Sequence, residues 1–209
     1  MNTYLSVRQI AKDSWKVLKS QVWILVGLTI GYSIISSLIS VFFQPQNGVS
    51  LSTVVSLFFT IFFYTLFYLG FYQNVFQAID GEEPQFSAYV SQSKNFLKGA
   101  MASIIYGVIV IAGLALFVIP GIYLALRLQF FLISIAEGDR GVIESLKHSW
   151  RITEGNVLFL LKAAITMFLM LVLGLMLFIV GYFVAATLTQ VMSCNIYRKL
   201  IAADGNNEL

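Results

Sequence analysis

Residues 100–136 consist of two apolar runs separated only by Pro120 and Gly121, and that pairing leaves few folds open. A helix that crosses a bilayer needs roughly 20 mainly apolar residues at about 1.5 Å of rise each. Two such runs joined by so short a break predict an antiparallel pair of spans, with Pro120-Gly121 as a tight outer turn. Similar runs at 22–43, 51–79, 157–180 and 181–196 bring the crossings to six. Hydrophobic residues make up 58% of the 209 and charged ones 11%, against about 25% charged in an ordinary soluble domain. The expected fold class is therefore all-α, a polytopic membrane protein forming a single domain over 1–209. No cleavable signal peptide is expected: the charged first 20 residues lead into an apolar run too long for an h-region.

Charge orients the chain. Of 13 Lys and Arg, all but Arg127 and Lys162 fall in four segments: the N-terminal helix, the 80–99 and 137–156 connections, and the C-terminal tail. The intervening connections, residues 44–50, Pro120-Gly121 and a turn near Gly181, carry no charge. The lysine and arginine bias places both termini and both long connections in the cytoplasm. A bacterial cytoplasmic membrane is the expected setting, with anionic lipid the expected partner of these cations. They are interrupted by acids and face no aromatic platform, which speaks against nucleic acid.

The sequence repeats. Lys12-Asp13-Ser14-Trp15-Lys16-Val17 parallels Lys147-His148-Ser149-Trp150-Arg151-Ile152, and residues 113–119 parallel 174–180. Asp80-Gly81, Glu137-Gly138 and Asp204-Gly205 form similar stops, suited to a glycine C-cap. Three hairpins at about 1–81, 82–138 and 139–205 follow, each preceded by an amphipathic interfacial helix; the middle copy matches loosely. In the first such helix Ile10, Ala11, Ser14, Val17 and Leu18 form the apolar side, and Lys12 and Lys16 face outward with Trp15 at interfacial depth. In the third, Glu144, Lys147, His148 and Arg151 form a polar stripe, with Trp150 at the edge of the opposite side. Gly27 and Gly31, then Gly181 and Ala185, have the small-residue spacing that lets helices approach in lipid. Packing within the chain or a homodimer seam would each use it.

Arg127 is the charge that stands out, because placing it centrally in a bilayer costs about 2.5–3.5 kcal/mol on insertion scales. No Asp or Glu lies in a span to pair with it, so carbonyls, Gln129, Gln190, Thr187, Asn195, tyrosine hydroxyls or an anionic ligand are its expected company. Arg127, Gln129, Gln190 and Asn195 form the candidate intramembrane site. Gln73, Asn74 and Gln77 read as interhelical hydrogen bonding, Asp80, Glu82 and Glu83 as a solvated loop, and His148 as a solvated histidine. One His and one Cys make no usual zinc or nucleophile set; no catalytic residue, metal ligand or cofactor is expected.

Pro120-Gly121-Ile122-Tyr123, Arg127, Phe131, Gly141, Ser145-Leu146, Ser149-Trp150, Thr153 and Gly155-Asn156 resemble a bacterial family. It is the multi-span membrane domain found alone in poorly characterised inner-membrane proteins and, elsewhere, fused ahead of glycerophosphodiester phosphodiesterases. The resemblance implies a six-span cytoplasmic-membrane protein with no settled activity, and no phosphodiesterase chemistry is expected of these 209 residues. The expected function is a non-enzymatic component that binds lipid, a membrane protein partner or a second copy. A transporter or flippase for an anionic or lipid-like substrate, with Arg127 in a central site, is the alternative.

Overall fold

The computed structural model describes residues 6–42 and 51–205, with only the backbone for 51 and 52. Residues 44–50, expected as the first outer turn, lie outside the described residues. Among the described residues ten α-helices follow in order: α1 (Val7–Ser20), α2 (Val22–Phe42), α3 (Leu51–Ile79), α4 (Ser87–Gln92), α5 (Phe96–Leu116), α6 (Val118–Leu128), α7 (Phe131–Gly138), α8 (Val142–Ile152), α9 (Val157–Met176) and α10 (Phe178–Gly205). A single 3-10 turn, Ser93–Asn95, joins α4 to α5. Among the described residues six helical segments are long and apolar enough to cross a membrane: α2, α3, α4 through α5, α6 with α7, α9 and α10.

The outer turns sit elsewhere than expected. Phe117 alone, extended at φ −159° and ψ 153°, separates α5 from α6, and Pro120 and Gly121 belong to the first turn of α6. Proline fits there because the first N–H groups of a helix have no intrahelical acceptor to lose. Gly121 serves close approach: a Cβ on it would lie 2.7 Å from the Leu114 nitrogen. In the last hairpin the chain turns at Leu177 and Phe178, the latter at φ 63°, and Gly181 lies inside α10. The stops differ too. Gly81 is left-handed at φ 83°, but after α7 it is Asp139 that takes φ 50°, and Gly205 still belongs to α10. Arg198 and Lys199 likewise stand within α10 rather than in a tail.

Burial sorts the six spans into two classes. α10 buries ten residues, among them Thr187, Met192, Tyr197 and Leu200, whereas α2 buries only Leu25. α3 packs on both α7 and α10, and Tyr197 of α10 brings its ring within 6.2 Å of Phe76 and 6.0 Å of Phe130. Tyr197, Phe71 and Phe130 are fully buried there. α2, α5 and α9 stand outside them with Trp23, Ile111, Leu158 and Phe168 exposed. So much uncovered apolar surface would be a liability in water and suits lipid.

The short helices dock in a cyclic pattern: α4 packs on α3, α8 on α7, and α1 on α10. α1 buries Ile10, Ser14 and Leu18; α8 buries Ser145, Leu146, Ser149 and Ile152. α8 runs back along α7 and the end of α6, since Ser134 meets His148 while Arg127 meets Ser149 and Thr153.

Candidate functional site

Arg127 sits where a span breaks. α6 ends at Leu128, and Gln129 and Phe130 separate it from α7. A break leaves carbonyls and amides without helical partners, and α8 supplies them. Ser149 Oγ and Thr153 Oγ1 donate to the Arg127 carbonyl at 2.8 and 3.2 Å, while the Phe130 amide donates to Ser149 Oγ at 3.2 Å. The Arg127 guanidinium lies 4.2 Å over the Trp150 ring and 5.9 Å from Tyr123. Its residue is 3% exposed, its Nε has no hydrogen-bond partner, and among the described residues no carboxylate pairs with it. Two physical effects offset that charge. A desolvated cation over an indole gains about 2 kcal/mol, and the last turns of α6 and α8, with their partial negative charge, meet here.

The other members of the expected site go elsewhere. Gln129 Nε2 donates to the Leu126 carbonyl at 3.0 Å, Gln190 Oε1 accepts from the Tyr72 hydroxyl at 3.2 Å, and Asn195 Nδ2 donates to Ser14 Oγ at 2.8 Å. Thr187 bonds Thr29. Similar depth suggested a common site, but direction around each helix decides contact. Residues two apart on a helix point to different sides, and α10 turns Gln190 toward α3 and Asn195 toward α1. The polar end of α3 holds α4: Gln73 Oε1 accepts from Ser91 and from Gln92 Nε2, and Asn74 and Gln77 accept from the Gln85 amide.

At the end of the bundle that carries α1, α4 and α8, ion pairs tie the inner spans together. Arg198 of α10 pairs with Asp80 after α3, donating Nη2 to Oδ2 at 2.8 Å, and brings Nε within 3.5 Å of Glu137 in α7. The Arg198 hydrogen bond holds the Asp80 carboxyl below its usual range, so Asp80 is an ion-pair partner as well as an exposed turn acid. Lys94 and Lys98 both pair with Asp139, Arg151 with Asp204 and Lys199 with Asp13. Lys12, Trp15 and Lys16 are exposed on α1, and Lys147, Trp150 and Arg151 on α8.

The polar stripe of α8 borders a cleft of about 640 Å³ lined by Arg140, Ile143, Glu144, Lys147, His148 and Arg151. His148 is half-buried, not solvated. Its Nδ1 lies 3.2 Å from Ser134 Oγ, and its ring 6.0 Å from that of Tyr197. Arg140 Nη1 donates to the Ser134 carbonyl, to Ser134 Oγ and to the Tyr197 oxygen at 3.1, 3.3 and 3.3 Å. Burial, reinforced by the nearby Arg140 and Arg151 charges, pushes the imidazole down to about 4 against weaker opposition from Asp204 and Glu144. Arg140, Ser134 and Tyr197 escaped the sequence reading, which gave the polar stripe of α8 but no cleft beside it.

Residues 86–197, from before α4 into α10, match the family described as Domain of unknown function (DUF7847). The chain belongs to this family. No curated protein and no solved structure matches it. The DUF7847 match encloses Arg127, Trp150 and all six residues of the α8 cleft, and leaves out α1, α2 and α3. It names no activity, and it makes no connection to the membrane domain that accompanies glycerophosphodiester phosphodiesterases.

Proposed function

We propose that this chain is a non-enzymatic protein of the bacterial cytoplasmic membrane, with both termini inside, whose surface helices engage anionic lipid of the inner leaflet. The observation that carries this reading is the common direction of its cations. α1 and α8 both join the C-terminal end of α10, through Asp13–Lys199 and Arg151–Asp204, and leave Lys12, Lys16 and Lys147 exposed beside Trp15 and Trp150. Each basic residue near an anionic leaflet contributes about 1 kcal/mol. The matching attachment of α1, α4 and α8, each to the second span of another hairpin, supports three like units with an interfacial helix apiece.

Native mass spectrometry of protein purified in mild detergent tests this. Alanine at Lys12, Lys16, Lys147 and Arg151 together should lower retained phosphatidylglycerol and cardiolipin several-fold while zwitterionic lipid is unchanged. Unaltered lipid retention would overturn the reading, as would tags at the two ends reporting opposite sides of the membrane.

One observation favours a transporter as the second reading: the unpartnered Nε of the buried Arg127. Against it, the middle of the bundle is filled by Phe71, Phe130 and Tyr197. Anion or lipid movement in proteoliposomes that disappears in Arg127→Ala would establish it over the first.

A further inference from the structure

The α8 cleft has a feature that a merely solvated helix face lacks: its floor is a hydrogen-bond chain joining Arg140, Ser134 and His148. Arg140 Nη1 donates to Ser134 Oγ at 3.3 Å, so that oxygen already serves as an acceptor. The Ser134 hydroxyl can donate its own proton to His148 Nδ1, 3.2 Å away. In this arrangement the neutral imidazole carries its hydrogen on Nε2, where it acts as a donor. Around it stand Arg140, Lys147 and Arg151, which only donate. The one acid of the lining, Glu144, has Oε2 3.2 Å from the Gly141 amide, which occupies it in the turn that starts α8. Lys147 is exposed and has no ion-pair partner among the described residues.

A cleft whose polar wall is nearly all donors is complementary to an oxyanion. Arg140 is held by three acceptors on Ser134 and Tyr197, so part of the ordering cost of binding is met in advance. Its volume of about 640 Å³ exceeds what an inorganic ion needs and lies within the usual range for small-ligand sites, about 300–1,000 Å³. Donors from Arg140, Lys147 and His148, beside an Arg151 already paired with Asp204, match a terminal phosphate, which offers three unesterified oxygens, better than a phosphodiester, which offers two. Basic pockets on this side of a helical bundle are where lipid headgroups are held.

We propose that the cleft between the 139–141 turn and α8 is a binding site for a terminal phosphate group, with Arg140, Lys147 and His148 Nε2 as its donors. The site deepens the lipid-engaging function proposed above and rests on it for the membrane face on which the cleft opens. The terminal phosphate can belong to a phosphomonoester lipid such as phosphatidic acid or to a soluble ion, and both carry the same recognised group.

The chain contains one histidine, so ring nitrogen-15 labelling of histidine gives only the two ring-nitrogen signals of the His148 imidazole. The full chain in phosphatidylcholine nanodiscs is titrated at pH 7 with inorganic phosphate, using chloride at matched ionic strength as the blank. In a second arm part of the phosphatidylcholine is replaced by phosphatidic acid or by the same fraction of phosphatidylglycerol, whose phosphate is a diester. The expected result is a saturable shift of the His148 resonance with inorganic phosphate, with phosphatidic acid, or with both. In Lys147→Gln the phosphate affinity should fall about tenfold, the loss of one charge-assisted contact. A response to inorganic phosphate alone assigns a soluble ligand, and one to phosphatidic acid alone assigns a headgroup.

No shift in either arm overturns the proposal, and so does an equal shift with phosphatidylglycerol or one that survives unchanged in Lys147→Gln. If the cleft fails while anionic lipid is still retained by the native chain and lost with the four alanines, the error lies in the cleft and not in the lipid-engaging function.

Discussion

The first and last hairpins carry glycines of similar promise in opposite circumstances. A Cβ added to Gly174 would lie 2.7 Å from the Gly181 carbonyl oxygen and 2.6 Å from the Ala185 methyl, so α9 and α10 touch backbone to backbone. Gly113 does the same in the middle hairpin, with the Gly121 Cα 3.0 Å from where its Cβ would be. At Gly27 and Gly31 nothing comes within 4 Å, and the two border an apolar groove of about 320 Å³ between α2, α3 and α4. Small residues at helical spacing therefore grant permission for a close crossing without enforcing one. What enforces it in α9 and α10 is a turn so short that the two helices have nowhere else to go.

The largest effect should come from filling the used seam. Gly174→Leu or Gly181→Leu must push two backbones apart and is expected to cost about 3 kcal/mol or more, seen as loss of the folded species in detergent-based thermal unfolding. A cost under about 1 kcal/mol would mean that the close crossing of α9 and α10 is not needed.

The tight side of the molecule is locked again at the far end of α10, where Arg198 joins Asp80 and Glu137. Arg198→Met should destabilise by about 1 kcal/mol, the scale of a partly exposed network. The Asp80 part of that difference has a defined pH window. A carboxyl held below its ordinary 3.8 stabilises the fold above that value and ceases to as pH falls through the folded-state pKa, so native and variant should converge in strong acid. Equal unfolding of the two at pH 7 would remove Arg198 from the lock.

His148 should respond in a higher window. Its folded-state pKa of about 4 lies below the ordinary 6.5, so the unfolded chain binds the extra proton first. Stability is then expected to decline as pH drops from 6.5 toward 4, and His148→Gln should flatten that part of the profile. The same slope in both proteins would place the imidazole in water.

The smallest effect belongs to the unused seam. Gly27→Leu and Gly31→Leu should change unfolding by no more than about 0.5 kcal/mol, because the groove has room. If either instead abolishes a dimer seen by cross-linking in membranes, the seam is used between chains rather than within one.

Element type was readable from composition and spacing. The run at 51–79 became α3 residue for residue, and the buried side of α1, Ile10, Ser14 and Leu18, follows from period alone. Turn position was not. Pro120-Gly121 has the chemistry of a break, yet proline in the first turn of a helix forfeits no hydrogen bond, so the chain could turn three residues earlier. The polar side chains were harder still: hydropathy ranks residues by depth, and Arg127, Gln129, Gln190 and Asn195 look alike on that scale.

By itself, then, the sequence determined an all-helical chain with six spans' worth of apolar residues, because hydrophobic run length and backbone hydrogen bonding leave a lipid-facing segment little alternative. Tertiary structure decided everything that depends on rotation about a helix axis or on a partner far away in the chain. It put Arg127 against Trp150, Arg198 between Asp80 and Glu137, and His148 over Ser134. Those pairings join residues up to 118 apart, and a local pattern holds no record of which distant side chain will share its face.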